Sequence, residues 1–218
     1  MLVLVTIPIA TFDMAMEYTA PSMKLIMDRA NVVDQLFRGF REWDIKVDDV
    51  EVITEGKPST QGIKFKIPSK RTAFFFGAGL CRITRDDANW ESAEDTIAIL
   101  NVGLKTLVEV GGVTIGTYKT SIALHIQPKT AQFIELIKPF ASPKIAALVN
   151  EEIDRFATVV KWKDRRITID GSAQLANAAF LKFERDFDGS TSIGVIATKL
   201  RADEDELFAM LNIEEDLQ

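Results

Sequence analysis

Three successive phenylalanines, Phe74 to Phe76, stand inside the apolar run RTAFFFGAGLCRI from Arg71 to Ile83. Successive side chains of a strand point to opposite faces, so this triplet must place an aromatic ring on each side of a sheet; it predicts a central strand covered on both faces. A polar bend, TRDDAN, follows, and then an amphipathic segment from Trp90 to Val110. Ala93, Ile97, Leu100, Leu104, Leu107 and Val108 recur there at three- and four-residue spacing, while Glu91, Glu94, Asp95, Asn101 and Lys105 fall elsewhere around the wheel. Asn89 is the expected N-cap, the early carboxylates suit the positive end of the helix dipole, and Gly111-Gly112 supplies the stop. A strand covered by the helix that follows it is the unit around which the rest must pack.

Upstream, Phe12, Met14, Met16 and Tyr18 alternate with Asp13 and Glu17, which extends the apolar opening MLVLVTIPIA into one long strand. That opening lacks a basic start and is interrupted by Pro8, so it does not read as a signal peptide. Ser22 is placed to cap a helix reaching about Phe40, with Ile26, Val33, Leu36, Phe37 and Phe40 on one face. Val47, Val50 and Val52 suggest a strand, and Ile63, Phe65 and Ile67 alternating with Lys64 and Lys66 give a half-exposed one. Val113 to Gln127 is a second long strand, with Tyr118, Ile122, Leu124 and Ile126 inward and Thr117, Lys119, Ser121 and His125 outward. Thr130 to Phe140 is a short helix broken by Pro139, and Ser142-Pro143 opens a further turn or two. Strands follow at Phe156–Trp162, Ile167–Ile169 and Ala176–Phe187; Asp188-Gly189 signals a hairpin into Ile193–Ala197, and Asp203 caps a last helix bearing Leu207, Phe208 and Leu211.

This order predicts an α+β fold, a broad and mostly antiparallel sheet with helices packed on one face. Two organisations fit: a single domain over 1–218, or two pseudo-repeated β-α-β(3-4)-α halves, 1–111 and 112–218. For the second, a shift of about one hundred residues lays Ile63, Phe65 and Ile67 near Ile167, Ile169 and Gly171.

The net charge of −6 and pI near 5.0 weigh against nucleic-acid binding, which requires a basic face. No stretch reaches the ~20 apolar residues of a membrane span, and the lone Cys81 fits a reducing compartment, so a soluble cytoplasmic protein is expected. One histidine, His125, rules out a two-histidine metal centre; no metal site or cofactor is expected. His125 is the weak candidate for acid–base catalysis, against the plainer reading of a polar residue on a strand's solvent side. The doublets Asp48-Asp49, Asp86-Asp87 and Glu151-Glu152 read as solvated surface, and Lys161, Lys163, Arg165 and Arg166 around Trp162 as a salt-bridged hairpin tip.

Absent catalytic constellations and abundant apolar strand surface point to a non-catalytic binding or assembly module. Its expected contact is with itself or a protein partner, through an apolar sheet face or a strand edge, the first strand's in particular. The alternative is a small apolar ligand held between a curved sheet and a helix, with Tyr18, Tyr118, His125 and Trp162 as polar handles. Finally, Asn89-Trp90-Glu91-Ser92-Ala93, preceded by the Phe-rich strand and followed by Leu100, Leu104, Leu107 and the long strand Thr114–Gln127, resembles a sporadically distributed family of uncharacterised bacterial proteins. The resemblance implies a fold and no activity.

Overall fold

The Phe-rich run is a hairpin and not one strand. In the computed structural model, which describes residues 2–57, 60–138, 157–162 and 164–216 and only the backbone of Ile137 and Trp162, strand pairing reverses at Ala78-Gly79. Among the described residues ten strands are present: β1 (Val3–Tyr18), β2 (Val50–Ile53), β3 (Gly62–Ile67), β4 (Thr72–Gly77), β5 (Leu80–Asp86), β6 (Ile115–Pro128), β7 (Thr158–Trp162), β8 (Arg165–Gly171), β9 (Ala179–Asp188) and β10 (Ile213–Glu215). The described helices are α1 (Lys24–Met27), α2 (Arg29–Gly39), α3 (Ala93–Glu109), α4 (Phe133–Ile137) and α5 (Ile193–Leu211). The strands form one broad sheet in the order β2-β3-β4-β5-β1-β6-β9-β8-β7, with β10 parallel beside the start of β1. This is the α+β architecture the sequence predicts.

The chain divides into two compact units. One comprises Phe12–Thr120 and Asp186–Ala197. Its core gathers Phe12, Met14 and Met16 of β1, Ile63, Phe65 and Ile67 of β3, Phe74 and Phe76 of β4 and Ile83 of β5, all buried on one face. The helices close that face: Phe40 at the end of α2 packs on Phe65 and Phe74, ring centroids 5.6 Å apart in both pairs. Each such buried ring contributes about 1.5–3 kcal/mol of transfer free energy. The opposite face is polar, with Asp13 accepting from Arg82 and Thr84, and Glu17 from Lys119. Phe75 is therefore not covered by a second layer as expected. Its ring lies instead over Gly62 and Gly77, which face each other across β3 and β4; a Cβ on either would come within 2.8 Å of that ring.

Three local expectations change here. Ser22 does not cap a helix; its hydroxyl donates to the Gly111 carbonyl at 2.7 Å, and the helix breaks at Asp28 (φ −109°, ψ 44°) into α1 and α2. Asn89 does cap, accepting from the Ser92 amide at 3.0 Å, but the buried face of α3 is Ile99, Leu100, Gly103, Thr106 and Leu107, with Val108 exposed. Gly189 turns β9 into a helix and not a hairpin: its amide donates to the Gly116 carbonyl, and a Cβ there would meet the Ile115 carbonyl oxygen at 2.0 Å.

The other unit comprises Met1–Thr11, Ser121–Arg185 and Thr198–Gln218. Burial in β1 falls on odd residues at Val3 and Val5 and on even ones from Ala10 on, and Pro8, lacking an amide hydrogen, falls in the interval between. In β8 and β9 the paired Ile167–Phe183 and Ile169–Leu181 are buried. The segment expected as a strand over Ile193–Ala197 opens α5, because Ile193, Ile196, Leu200, Leu207 and Leu211 repeat at helical spacing and are all buried. Asp203 lies in the middle of that helix and caps nothing. The helix predicted after Ser142-Pro143, like Glu151-Glu152 and Lys163, lies outside the described residues.

Candidate functional site

His125 is on β6, on the face opposite Leu124 and Ile126, but it is buried, 6 % exposed, which corrects its reading as a solvent-side residue. The loop after β8 covers it. Ser172 opens that loop, and its Oγ accepts from the amides of Gln174 (3.1 Å) and Leu175 (3.0 Å) while lying 2.8 Å from His125 Nδ1. With both lone pairs of the hydroxyl occupied, its proton is directed to Nδ1, so the imidazole is neutral with its hydrogen on Nε2. Phe180 packs against the ring at 5.2 Å. Burial pushes the imidazole below its ordinary pKa. The same loop is tied down by Asn177, which accepts from the Phe133 amide and donates to the Ala131 carbonyl, and by Gln127, which donates to the Ala176 carbonyl. His125 thus fastens a loop to the sheet. The partner it has is a hydroxyl already bound by two amides, a poor nucleophile in a turn that holds it still.

Of the four expected ligand handles, three have described side chains. Tyr18, at the end of β1, has a buried hydroxyl with no hydrogen-bond partner among the described residues, and burial, reinforced by the nearby Cys81, raises its pKa. Tyr118 is buried within β6, and burial raises its pKa too. Trp162 ends β7, and its side chain lies outside the described residues. Neither described cleft is lined by Tyr18, Tyr118 or His125: one, of about 230 Å³, runs between Gln35, Arg38 and Gly39 of α2 and Val102, Lys105 and Thr106 of α3, and the other lies over Arg165, Phe183, Asp203 and Met210. Among the described residues no cluster of three or more histidines, cysteines or carboxylates could hold a metal ion.

Ion pairs account for much of the remaining charge. Arg185, 11 % exposed at its side chain, forks both Asp203 oxygens at 2.9 Å and reaches Asp164 at 3.2 Å. Arg165 pairs with Glu206 and Arg166 with Glu184, as expected of a salt-bridged hairpin tip. Asp87, at a left-handed φ of 60°, pairs with Arg71, and Asp49 accepts from the Lys46 amide.

What stays open is the ends of the sheet. The first strand's edge, expected to be available, is flanked by β5, β6 and β10. The end strands are β2 and β7, neither of which has an outer neighbour among the described residues. In β2, Val52 pairs with buried Ile63 on the helix side, and in β7, Val160 pairs with buried Ile167, yet each valine is 45 % exposed. Val159 on the opposite side of β7 is 52 % exposed. Sequence reading assigned both segments as strands but could not tell which strands end the sheet, because order depends on long-range pairing. No protein-family model matches the chain, and no curated protein matches its sequence. Among the described residues no helix is long and apolar enough to cross a membrane.

Proposed function

We propose that this protein is a non-catalytic binding and assembly module that works through the free edges of its sheet. The observation that carries this reading is the pair of end strands, β2 and β7, each with an outer row of backbone donors and acceptors that no described strand pairs, and each with a half-exposed valine on the helix-covered side. Such an edge accepts another strand by backbone hydrogen bonding, with alternate side chains supplying selectivity. The polar, ion-paired outer face of the Phe12–Thr120 unit favours the edges over the sheet face as the contact. His125 belongs to this reading as a structural residue, and the resemblance at Asn89–Ala93 adds a fold and no activity.

Sedimentation velocity across the micromolar range tests it. Mass rising with concentration, and abolished by Val160→Pro, which takes a backbone amide out of the end strand β7, is the expected result. A strict monomer that also captures no strand-forming peptide at either edge would overturn it.

A further inference from the structure

Among the described residues three side-chain contacts tie the loop 172–178 to its surroundings, and one of them turns on a proton. Gln127 donates to the Ala176 carbonyl at 3.2 Å, and Asn177 bridges the Phe133 amide and the Ala131 carbonyl. Neither side chain is ionisable. The third contact is that of Ser172 Oγ with His125 Nδ1 at 2.8 Å, in which the hydroxyl donates because its lone pairs already accept from the Gln174 and Leu175 amides. A proton on Nδ1 reverses that demand, since two hydrogens then face each other across the contact. To accept from the imidazolium, Oγ must turn its own hydrogen away and give up one of the two amides. The ring is also buried, so a charge placed on it has lost most of its water.

We infer that the loop 172–178 is an acid-released latch: protonation of His125 loosens it from the sheet while the strands that carry it stay paired. The base of the loop does not depend on the proton, because the Ser172 amide donates to the Ala178 carbonyl at 2.7 Å and Gly171 pairs with Ala179 below it. Gln127 and Asn177 hold in both protonation states, so release is a shift in how often the loop opens. The loop itself has no ionisable residue, nor has β1 as far as Thr11, and the ring's neighbours on its side of β6 are Ala123 and Gln127. On β9, Phe180 packs on the ring, and Lys182, next along that side, is paired with Glu184. On β8, Asp170 lies opposite Phe180, and its carboxylate accepts from the Gly171 amide. Beside the segment that Asn177 ties, Lys129 is paired with Asp216, and Glu135 stands in α4. Among the described residues none of these charges bonds the imidazole, so opening the loop to water is what solvates a charged ring. Release bares His125 and Phe180, and the chain then presents a different surface in acid.

Amide hydrogen exchange on the intact chain reads the latch at Gln174 and Leu175, whose amides Ser172 Oγ holds. In the open loop the ring regains its ordinary 6.5, whereas burial holds the closed one lower, so opening grows as pH falls through 6.5 and levels off below the closed value. Between about pH 7.5 and 5.5 the protection of both amides, corrected for intrinsic exchange, is expected to fall several-fold, to a limit of about tenfold. At both pH values it should stay below that of Ile169 and Leu181, which are paired in β8 and β9 and open only with the sheet. In His125→Gln, neutral throughout, the step should vanish; in Ser172→Ala protection at Gln174 and Leu175 should be low at either pH. Protection that does not change across this range in the wild type would overturn the latch. So would equal protection at all four amides in acid, because the loop would then open only with the sheet, or a step that persists in His125→Gln, which would assign it to another group.

Discussion

Replacing Gly103 by alanine isolates how closely α3 lies on the sheet. In an unobstructed helix interior the change stabilises by about 0.8–1.0 kcal/mol, through backbone entropy. Here the new Cβ would stand 2.6 Å from Phe74 Cε1 and 3.3 Å from Cζ. The Phe74 ring, 1 % exposed, stacks on Phe76 with centroids 5.3 Å apart and an 8° interplanar angle, and Phe40 packs against it at 5.6 Å. It cannot rotate away without disturbing both neighbours, so helix or ring must shift, at the roughly 1–3 kcal/mol typical of overpacked cores. The net expectation is a loss of about 1 kcal/mol, a fall in Tm of roughly 2–4 °C for a chain of this length. Gly194 in the first turn of α5, with nothing within 4 Å of its Cβ position, is the control; alanine there should stabilise by up to about 1 kcal/mol. Urea unfolding of both variants, and of Gly103→Ala combined with Phe74→Leu, gives the coupling. In the Phe74→Leu background the penalty at 103 should vanish. Stabilisation by Gly103→Ala equal to that at Gly194 would refute the close approach.

Other expectations follow from named contacts. His125 is the only histidine, so its titration can be followed by NMR without assignment; it should titrate below its ordinary 6.5 and, above that, carry its hydrogen on Nε2. Because the unfolded chain then binds the proton more readily than the folded one, stability is full above about pH 6.5 and declines as pH falls from there toward the folded pKa. Ser172→Ala removes the hydroxyl donor to Nδ1, which favours the neutral ring, and so should raise that pKa; an unchanged titration would exclude the Ser172 contact. Asp203→Ala removes both hydrogen bonds of the fork to Arg185, whose side chain is 11 % exposed, and with Asp164 still in reach should cost about 2–3 kcal/mol in urea unfolding, whereas the roughly 1 kcal/mol of a lost N-cap would restore the helix-start reading of Asp203.

How much of this was legible in the chain depended on whether the signal was local. Asn89 and the spacing after it located α3, since a cap and a period are properties of adjacent residues. Its buried face was misplaced because apolarity favoured Ile97, Leu104 and Val108, while packing selected Gly103 and Thr106, small enough to admit Phe74. The segment Ile193–Ala197, with Ile193, Val195 and Ile196 β-branched, suggested a strand, and its helical repeat emerged only with Leu200, Leu207 and Leu211 included. The turn at Gly77-Ala78-Gly79 was absorbed into one strand because an apolar tripeptide gives little sign of a hairpin. For the site, His125 was marked as the residue to examine, but Ser172 lies 47 positions away and no pattern connects them. Likewise the strands holding Val52 and Val160 were expected, and only the order of strands put them at the ends of the sheet.

The measurement that bears most directly on edge assembly is a cross-link between copies. Cys81 is fully buried and silent, so Val52→Cys and Val160→Cys variants each present one accessible thiol. Facing residues on antiparallel strands hold their Cβ atoms about 4.5–5.5 Å apart, within reach of a disulfide after slight adjustment. Under mild oxidation edge assembly predicts a covalent dimer from one of these variants or from their mixture at concentrations where the wild type associates. No cross-linked product from either variant or from the mixture at those concentrations would contradict it.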